Sequence, residues 1–168
     1  SDTKLSLELT GQQGDVMKES ITCAKTVAWN LLSNERQTKI MTDIKDGNVQ
    51  CFGIHIHCPE AATPKDGPSA GGAITIAIVS LLTQIPVNNK VAMTGEIDLN
   101  GNMHTIGGLE LKIDGGKWAG VEKILIPKGN KQDLDIIQME NPTILENIEV
   151  VVVETIWDVL NHILMIPL

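Results

Sequence analysis

The 168-residue chain has no tyrosine, a single phenylalanine (Phe52) and three tryptophans (Trp29, Trp118, Trp157). With so few aromatics its core has to be aliphatic, built from Ile, Leu, Val and Met. Cysteine is scarce too: Cys23, Cys51 and Cys58 are odd in number and show no C-x-x-C spacing. They read as reduced core thiols of an intracellular protein rather than a disulfide framework. The apolar runs break off well short of the ~18–20 residues that cross a bilayer, and no signal-peptide pattern opens the chain, so no membrane role is expected. There is no basic stripe, and the net charge of −8 argues against nucleic-acid binding, which needs cations to neutralise phosphates. No G-x-x-x-x-G-K-[ST] occurs, and no repeat or low-complexity linker divides the chain. One domain, 1–168, follows, long enough for a real core.

Patterning suggests strands alternating with helices. Leu5 to Thr10 alternates with period two and reads as a strand. Asp15 is a fair N-cap for an amphipathic helix running to about Ser33, marked by Val16, Met17, Ile21, Ala24, Val27, Ala28, Leu31 and Leu32. Val49 to Cys58 reads as a strand. The run Ala70 to Leu82 is equally a buried helix or a buried strand on its pattern, because Ile74-Thr75-Ile76 and Ile78-Val79 are β-branched. Asn100-Gly101 is a hairpin turn between Val91–Leu99 and Met103–Ile106. A helix over about 109–119, a strand over 123–126, a short helix over 132–139 and a strand over 148–153 follow. Thr155 with Asp158 three residues on is a capping box for a last helix through Leu164. The fold class is α+β, with helices packed on a mixed sheet.

One segment stands apart. Pro64-Lys65-Asp66-Gly67-Pro68-Ser69-Ala70-Gly71-Gly72 reads as a tight turn that keeps one hydroxyl out of the packing, and 43 positions later Ile106-Gly107-Gly108-Leu109-Glu110-Leu111-Lys112 offers an amine. Ser69 and Lys112 suggest a nucleophile and a general base without a histidine–carboxylate relay. A lysine accepts a proton only when neutral, and its ordinary pKa is about 10.4. Working near neutrality asks that this value fall by roughly 3, or about 4 kcal/mol of differential stabilisation. Desolvation among Ile106, Leu109, Leu111 and Ile113, helped by a cation such as Lys65, is the available cause. If Ala70 to Leu82 is a helix, Ser69 sits at its N-terminus, where the dipole and free N–H groups favour an oxyanion.

These segments, together with GDVMKES (Gly14 to Ser20), HIHCPEAATPKDGPSAGG (His55 to Gly72) and VAMTGEI (Val91 to Ile97), resemble the proteolytic domain of the Lon family of ATP-dependent serine proteases. The DGP before the serine is similar to the A-type branch, and the likeness runs from about Leu9 to the C-terminus. It implies a Lon proteolytic-domain-like fold, related to the ribosomal protein S5 domain 2-like fold, and decides for a helix after Ser69. It implies Ser69 as nucleophile and Lys112 as its partner, with backbone N–H groups around Gly67, Pro68, Ser69 and Ala70 as the oxyanion hole. Thr94 matches the position whose hydroxyl aims the lysine, and His55 and His57 those that support the serine loop or shape the cleft. The substrates implied are unfolded, damaged or regulatory polypeptides, the assembly a homo-hexamer, the location cytoplasmic or mitochondrial. No cofactor is expected in this domain; ATP and Mg belong to an ATPase module outside this chain.

Other readings stay open at this stage. His55 and His57, on one strand face beside Cys58, lack a third or fourth ligand at metal-site spacing, so no metal is expected. Asp66 braces or gates the loop, takes part in chemistry, or is a plain turn aspartate. Glu96 is a solvated residue or a substrate contact; Lys18 and Glu19 belong to a solvated face or a subunit contact. Glu110 stands where the family usually has lysine, and Gly115-Gly116 weakens the helix of Lys112 by roughly 1 kcal/mol per glycine. The likeness begins at the strand before Thr10, so the N-terminal hairpin usual in the family is not expected within this sequence. A scaffold whose dyad is not formed, or a phosphate-binding small-molecule kinase with the Ser69 loop as its phosphate turn, are the alternatives.

Overall fold

Residues 5–48 and 53–165 are described in the computed structural model. The first strand, β1 (Ser6–Thr10), pairs in parallel with β2 (Gly53–His57), Leu7 opposite Ile54 and Thr10 opposite His57. Of the strand expected over Val49 to Cys58, Gly53–His57 is strand and Cys58 is not; residues 49–52 lie outside the described segments. Between the two run α1 (Asp15–Leu31) and α2 (Asn34–Lys45). Gly14, not Asp15, is the N-cap of α1, and Asp15 lies in its first turn.

Helix α2 is an element that the periodicity missed. None of its residues is buried, so only Ile40, Met41 and Ile44 interrupt a polar surface and no apolar stripe advertises it. Its start was nonetheless written in the chain: the Ser33 hydroxyl accepts from the Arg36 N–H at 3.2 Å, an ordinary N-cap.

The ambiguous run after Ser69 is α3 (Gly71–Thr83), ended by Gln84 in the left-handed region. Then come β3 (Val91–Met93), the two-residue strands β4 (Glu96–Ile97) and β5 (Met103–His104), α4 (Leu109–Trp118), β6 (Lys123–Pro127), α5 (Lys131–Glu140), β7 (Glu149–Val153) and α6 (Ile156–Ile163). A 3-10 turn precedes α5 and another follows it. A hairpin turns at Asn100-Gly101 as expected, but its arms are only β4 and β5; Val91–Met93, expected in its first arm, is β3 and pairs in parallel with β6 instead. The one mixed sheet anticipated is instead three small sheets: parallel β1-β2, parallel β3-β6-β7 and antiparallel β4-β5.

The β3-β6-β7 sheet is a wall between two aliphatic clusters, and β6 shows why. Leu125 points into a cluster with Val27, Ala28, Ile76, Val79, Ile156 and Val159 from α1, α3 and α6, while Ile124 and Ile126 point into one with Leu109, Ile113 and Ile137 from α4 and α5. Period-two side chains of a parallel strand are thus buried on both faces, and the strand reads as a continuous apolar run. The last helix carries its capping box as anticipated, the Thr155 hydroxyl and the Asp158 carboxylate each accepting from the other's backbone N–H.

Candidate active site

Ser69 comes from the first cluster's side, on the turn that leads into α3, and Lys112 from the second, on α4. The fold brings them together: Lys112 Nζ donates to Ser69 Oγ at 3.2 Å, both side chains half-buried. The site forms just past the C-terminal end of β3, where open parallel sheets commonly place their ligands. Beside Lys112, Ile106, Leu109 and Ile113 are buried, but Leu111 is 79% exposed and does not shield the amine. On a helix, position 111 lies about 100° round from 112, and only 109 and 113 turn to the core.

The serine turn is held from several directions. Gly71 N–H closes it on the Pro68 carbonyl at 3.0 Å, and Ala70 sits at φ −90, ψ −4, as at the third position of a type I turn. Ser20 of α1 donates its hydroxyl to the same carbonyl at 3.2 Å. The Ser69 carbonyl accepts from Gly95 N–H at 3.0 Å and from the Thr94 hydroxyl at 3.4 Å. Thr94 therefore hydrogen-bonds the serine's backbone, while Lys112, which it was expected to aim, bonds Ser69 Oγ.

Asp66 accepts from Met17 N–H and from Gly67 N–H, both at 2.8 Å. Its carboxylate serves the open N-terminus of α1, which has no side-chain cap of its own, and so ties the serine loop to that helix. Gly67, at φ +112, holds a conformation that a side chain would strain, and its N–H is already spent on Asp66. Pro68 has no N–H. Of the four residues named for an oxyanion hole, Ser69 and Ala70 are those whose N–H groups meet no acceptor among the described residues.

His55 Nε2 and His57 Nδ1 both lie 2.8 Å from the Thr10 hydroxyl. They stitch β2 to β1, well before the turn, rather than touching Ser69. Lys65 spends its ammonium on the carbonyls of Glu60 and Thr63, each at 2.8 Å, and clamps the segment between β2 and the serine turn. Glu96 faces His104 across the hairpin; Lys18 and Glu19 are on the exposed side of α1, Lys18 being 3.8 Å from Asp15. No group of three or more His, Cys, Asp or Glu side chains that could hold a metal occurs among the described residues.

Cys23 and Cys58 are free and half-buried; Cys51 lies outside the described residues. Burial pushes the Cys23 thiol up, and the charges of Asp98 and Glu96 push it further. It stays protonated and is no rival nucleophile. Ser20 and Gly95 were not singled out from the sequence. A signal for Ser20 existed: it lies next to Ile21 on the buried stripe of α1, and a polar group there needs a partner.

Fold and site together describe an α+β domain in which a lysine amine meets a serine hydroxyl at the mouth of a helix. The model of the Lon protease (S16) C-terminal proteolytic domain matches residues 1–166. The chain is 45% identical over 161 residues to the Lon protease of Rickettsia prowazekii, covering 96% of this chain and 19% of that protein. It is 41% identical over 159 residues to a Lon protease homolog of Acanthamoeba polyphaga mimivirus, covering 94% and 15%. A mitochondrial Lon protease homolog of Phaeodactylum tricornutum is 45% identical over 132 residues, 79% of this chain. The chain belongs to the Lon proteolytic-domain family and is a serine peptidase by class. It spans less than a fifth of the length of these relatives. No helix among the described residues is long and apolar enough to cross a membrane. Neither the scaffold nor the phosphate-binding reading is favoured.

Proposed function

We propose that the chain is the catalytic module of an ATP-dependent Lon-type endopeptidase, with Ser69 as nucleophile and Lys112 as its general base. The observation that carries this is the 3.2 Å approach of Lys112 Nζ to Ser69 Oγ, within the reach a base needs. In the reacting state the neutral amine takes the Ser69 proton as Oγ bonds to the scissile carbonyl carbon. The carbonyl oxygen becomes an oxyanion, facing the N–H groups of Ser69 and Ala70 at the start of α3. As the tetrahedral intermediate collapses, the C–N bond breaks and Lys112 returns its proton to the departing amine. Water, deprotonated by the same lysine, then hydrolyses the acyl-enzyme.

Unfolded polypeptides are the proposed substrates, in line with the proteolytic-domain family to which the chain belongs. ATP and Mg are proposed to act on another module of the full-length protein, a homo-hexamer inside the cell. Labelling with a fluorophosphonate tests the assignment. Wild-type chain should be modified at Ser69, and Ser69→Ala should neither label nor cleave an unstructured fluorogenic peptide. Undiminished cleavage by Ser69→Ala would overturn it.

A further inference from the structure

Two successive peptide planes flank the nucleophile, and each has its carbonyl anchored from a different element. The Pro68 carbonyl is held by Ser20 Oγ and Gly71 N–H; the Ser69 carbonyl by Gly95 N–H and Thr94 Oγ1. Neither peptide is cis, and in a planar trans unit the N–H points opposite to the C=O. Fixing the Pro68 carbonyl therefore aims the Ser69 N–H, and fixing the Ser69 carbonyl aims the Ala70 N–H. Those are the two donors with no acceptor of their own. Three of the four anchoring donors come from the serine turn's own backbone or from the segment that continues β3. Ser20 is the one that reaches in from α1.

Gly71 makes that reach possible. A Cβ there would stand 2.6 Å from Ser20 Oγ and 3.1 Å from Ile97 Cγ2, so the bare backbone of α3 lets the buried hydroxyl pass to Pro68. The hydroxyl is not needed to satisfy the carbonyl, which Gly71 N–H already serves; what it adds is direction. We propose that Ser20 is a positioning residue for peptide-bond cleavage, orienting the Pro68–Ser69 peptide so that the Ser69 N–H is aimed at the oxyanion. This rests on the reading of Ser69 as nucleophile.

The experiment uses the full chain with a short fluorogenic peptide and a peptide boronate, whose tetrahedral adduct on Ser69 Oγ mimics the charged intermediate. Losing an oxyanion donor outright costs roughly 10²–10³ in kcat, and mis-aiming one costs less. Ser20→Ala should lower kcat about tenfold to a hundredfold and weaken the boronate by a similar factor. KM should stay within about twofold, because ground-state binding does not use the oxyanion donor. Gly71→Ala, which places a methyl where the Ser20 hydroxyl now lies, should reproduce the effect with Ser20 intact. The double variant, in which that methyl fills the vacated space, should be no worse than Ser20→Ala alone. A kcat and boronate affinity within twofold of wild type in Ser20→Ala, or a rise in KM at unchanged kcat, overturns the positioning role while leaving the nucleophile assignment standing if Ser69→Ala is dead. If Ser69→Ala keeps its rate, the nucleophile assignment falls and this role falls with it.

Discussion

The two halves of the proposed dyad stand on unequal supports. Ser69 sits on a turn tied to α1 through Ser20 and Asp66 and to the end of β3 through Thr94 and Gly95. Behind it, α3 buries Ile76, Ile78 and Val79 against α1. Lys112 rides on a ten-residue helix whose N-cap, Gly108, is left-handed and offers no side-chain cap, and whose interior holds Gly115 and Gly116. Leu109 and Ile113 are its only buried residues, while Leu111 and Trp118 are largely exposed. The sheet wall separates the clusters beneath them. The Ser69 turn is thus bonded to two other elements, whereas α4, beyond its buried Leu109 and Ile113, is tied at its surface by Asn141 to Glu110 and by Lys117 to the Thr143 and Ile144 carbonyls.

The largest expected effect is on that side. On the proposed mechanism Lys112→Arg should reduce peptide cleavage by at least ~10³, because a guanidinium stays protonated at any working pH. Far-UV circular dichroism should be unchanged, since the side chain is only half-buried. Arginine supporting even a tenth of wild-type turnover would remove the base role.

Next in size is a matched pair of core truncations. Ile113 is fully buried and Ile78 is 3% exposed, so Ile113→Ala and Ile78→Ala should each cost about 2–5 kcal/mol. They should part company in activity. Measured under conditions where both variants remain folded, Ile113→Ala should lose far more turnover, because one of the two anchors beside Lys112 has gone. Ile78→Ala leaves the bonds around Ser69 in place. Equal losses in the two variants would break the comparison.

What could be read from the chain follows the same division. Local signals were legible: the Thr155–Asp158 box, the Asn100-Gly101 turn, and the serine and lysine that the fold brings to 3.2 Å, each within a short glycine-rich block. Whether Ile74 to Val79 was helix or strand was not, because apolar residues stand on the exposed side of α3 (Ala77, Leu81) as well as on the buried one and hide the periodicity; tertiary packing against α1 decides it. Helix α2 escaped because its inward face is only half-buried and largely polar: Arg36, Gln37 and Asp43 share it with Ile40 and Ile44. Most of the serine's anchors were illegible too. Ser20 and Pro68 are 48 residues apart, and Asp66 and Met17 are 49; no spacing rule links a carbonyl to a hydroxyl across such a distance. Thr94 was named but assigned to the lysine, where the fold bonds its hydroxyl to the Ser69 carbonyl.

A smaller effect contrasts how helices are started on the two sides. Helix α6, packed in the serine-side cluster, has the capping box that α4 lacks. Thr155→Ala should cost about 1 kcal/mol by urea denaturation. The partner carboxyl, Asp158, is held below its ordinary value first by the Thr155 N–H. A folded-state pKa that is depressed gives stability in full above the unfolded value of about 3.9, and this stability is lost as pH falls through the folded one. The stability gap between wild type and Asp158→Asn should accordingly be widest near neutral pH and narrow below about pH 4. A gap that is flat across that range would mean that the carboxylate's charge adds nothing to the cap.

The finest test strengthens the weak support instead of cutting it. Gly115 lies in the interior of α4, and a Cβ there would meet nothing within 4 Å. Gly115→Ala therefore adds no clash; it removes unfolded-state freedom and restores helix propensity, for about 0.5–1 kcal/mol of added stability. For a chain of this size that is roughly 1–4 °C in Tm. Amide exchange at Lys112 and Ile113 should slow, because the turns that hold them open less often. Turnover then decides what the looseness is for. If the base merely suffers from a frayed platform, kcat holds or rises as the helix firms. A gain in Tm paired with a clear loss of kcat would show that the lysine must swing to carry its proton from Ser69 to the leaving amine. No gain in Tm would mean that Leu109 and Ile113 already hold α4 as firmly as α1 and β3 hold the serine turn, and the contrast between the two supports would fail.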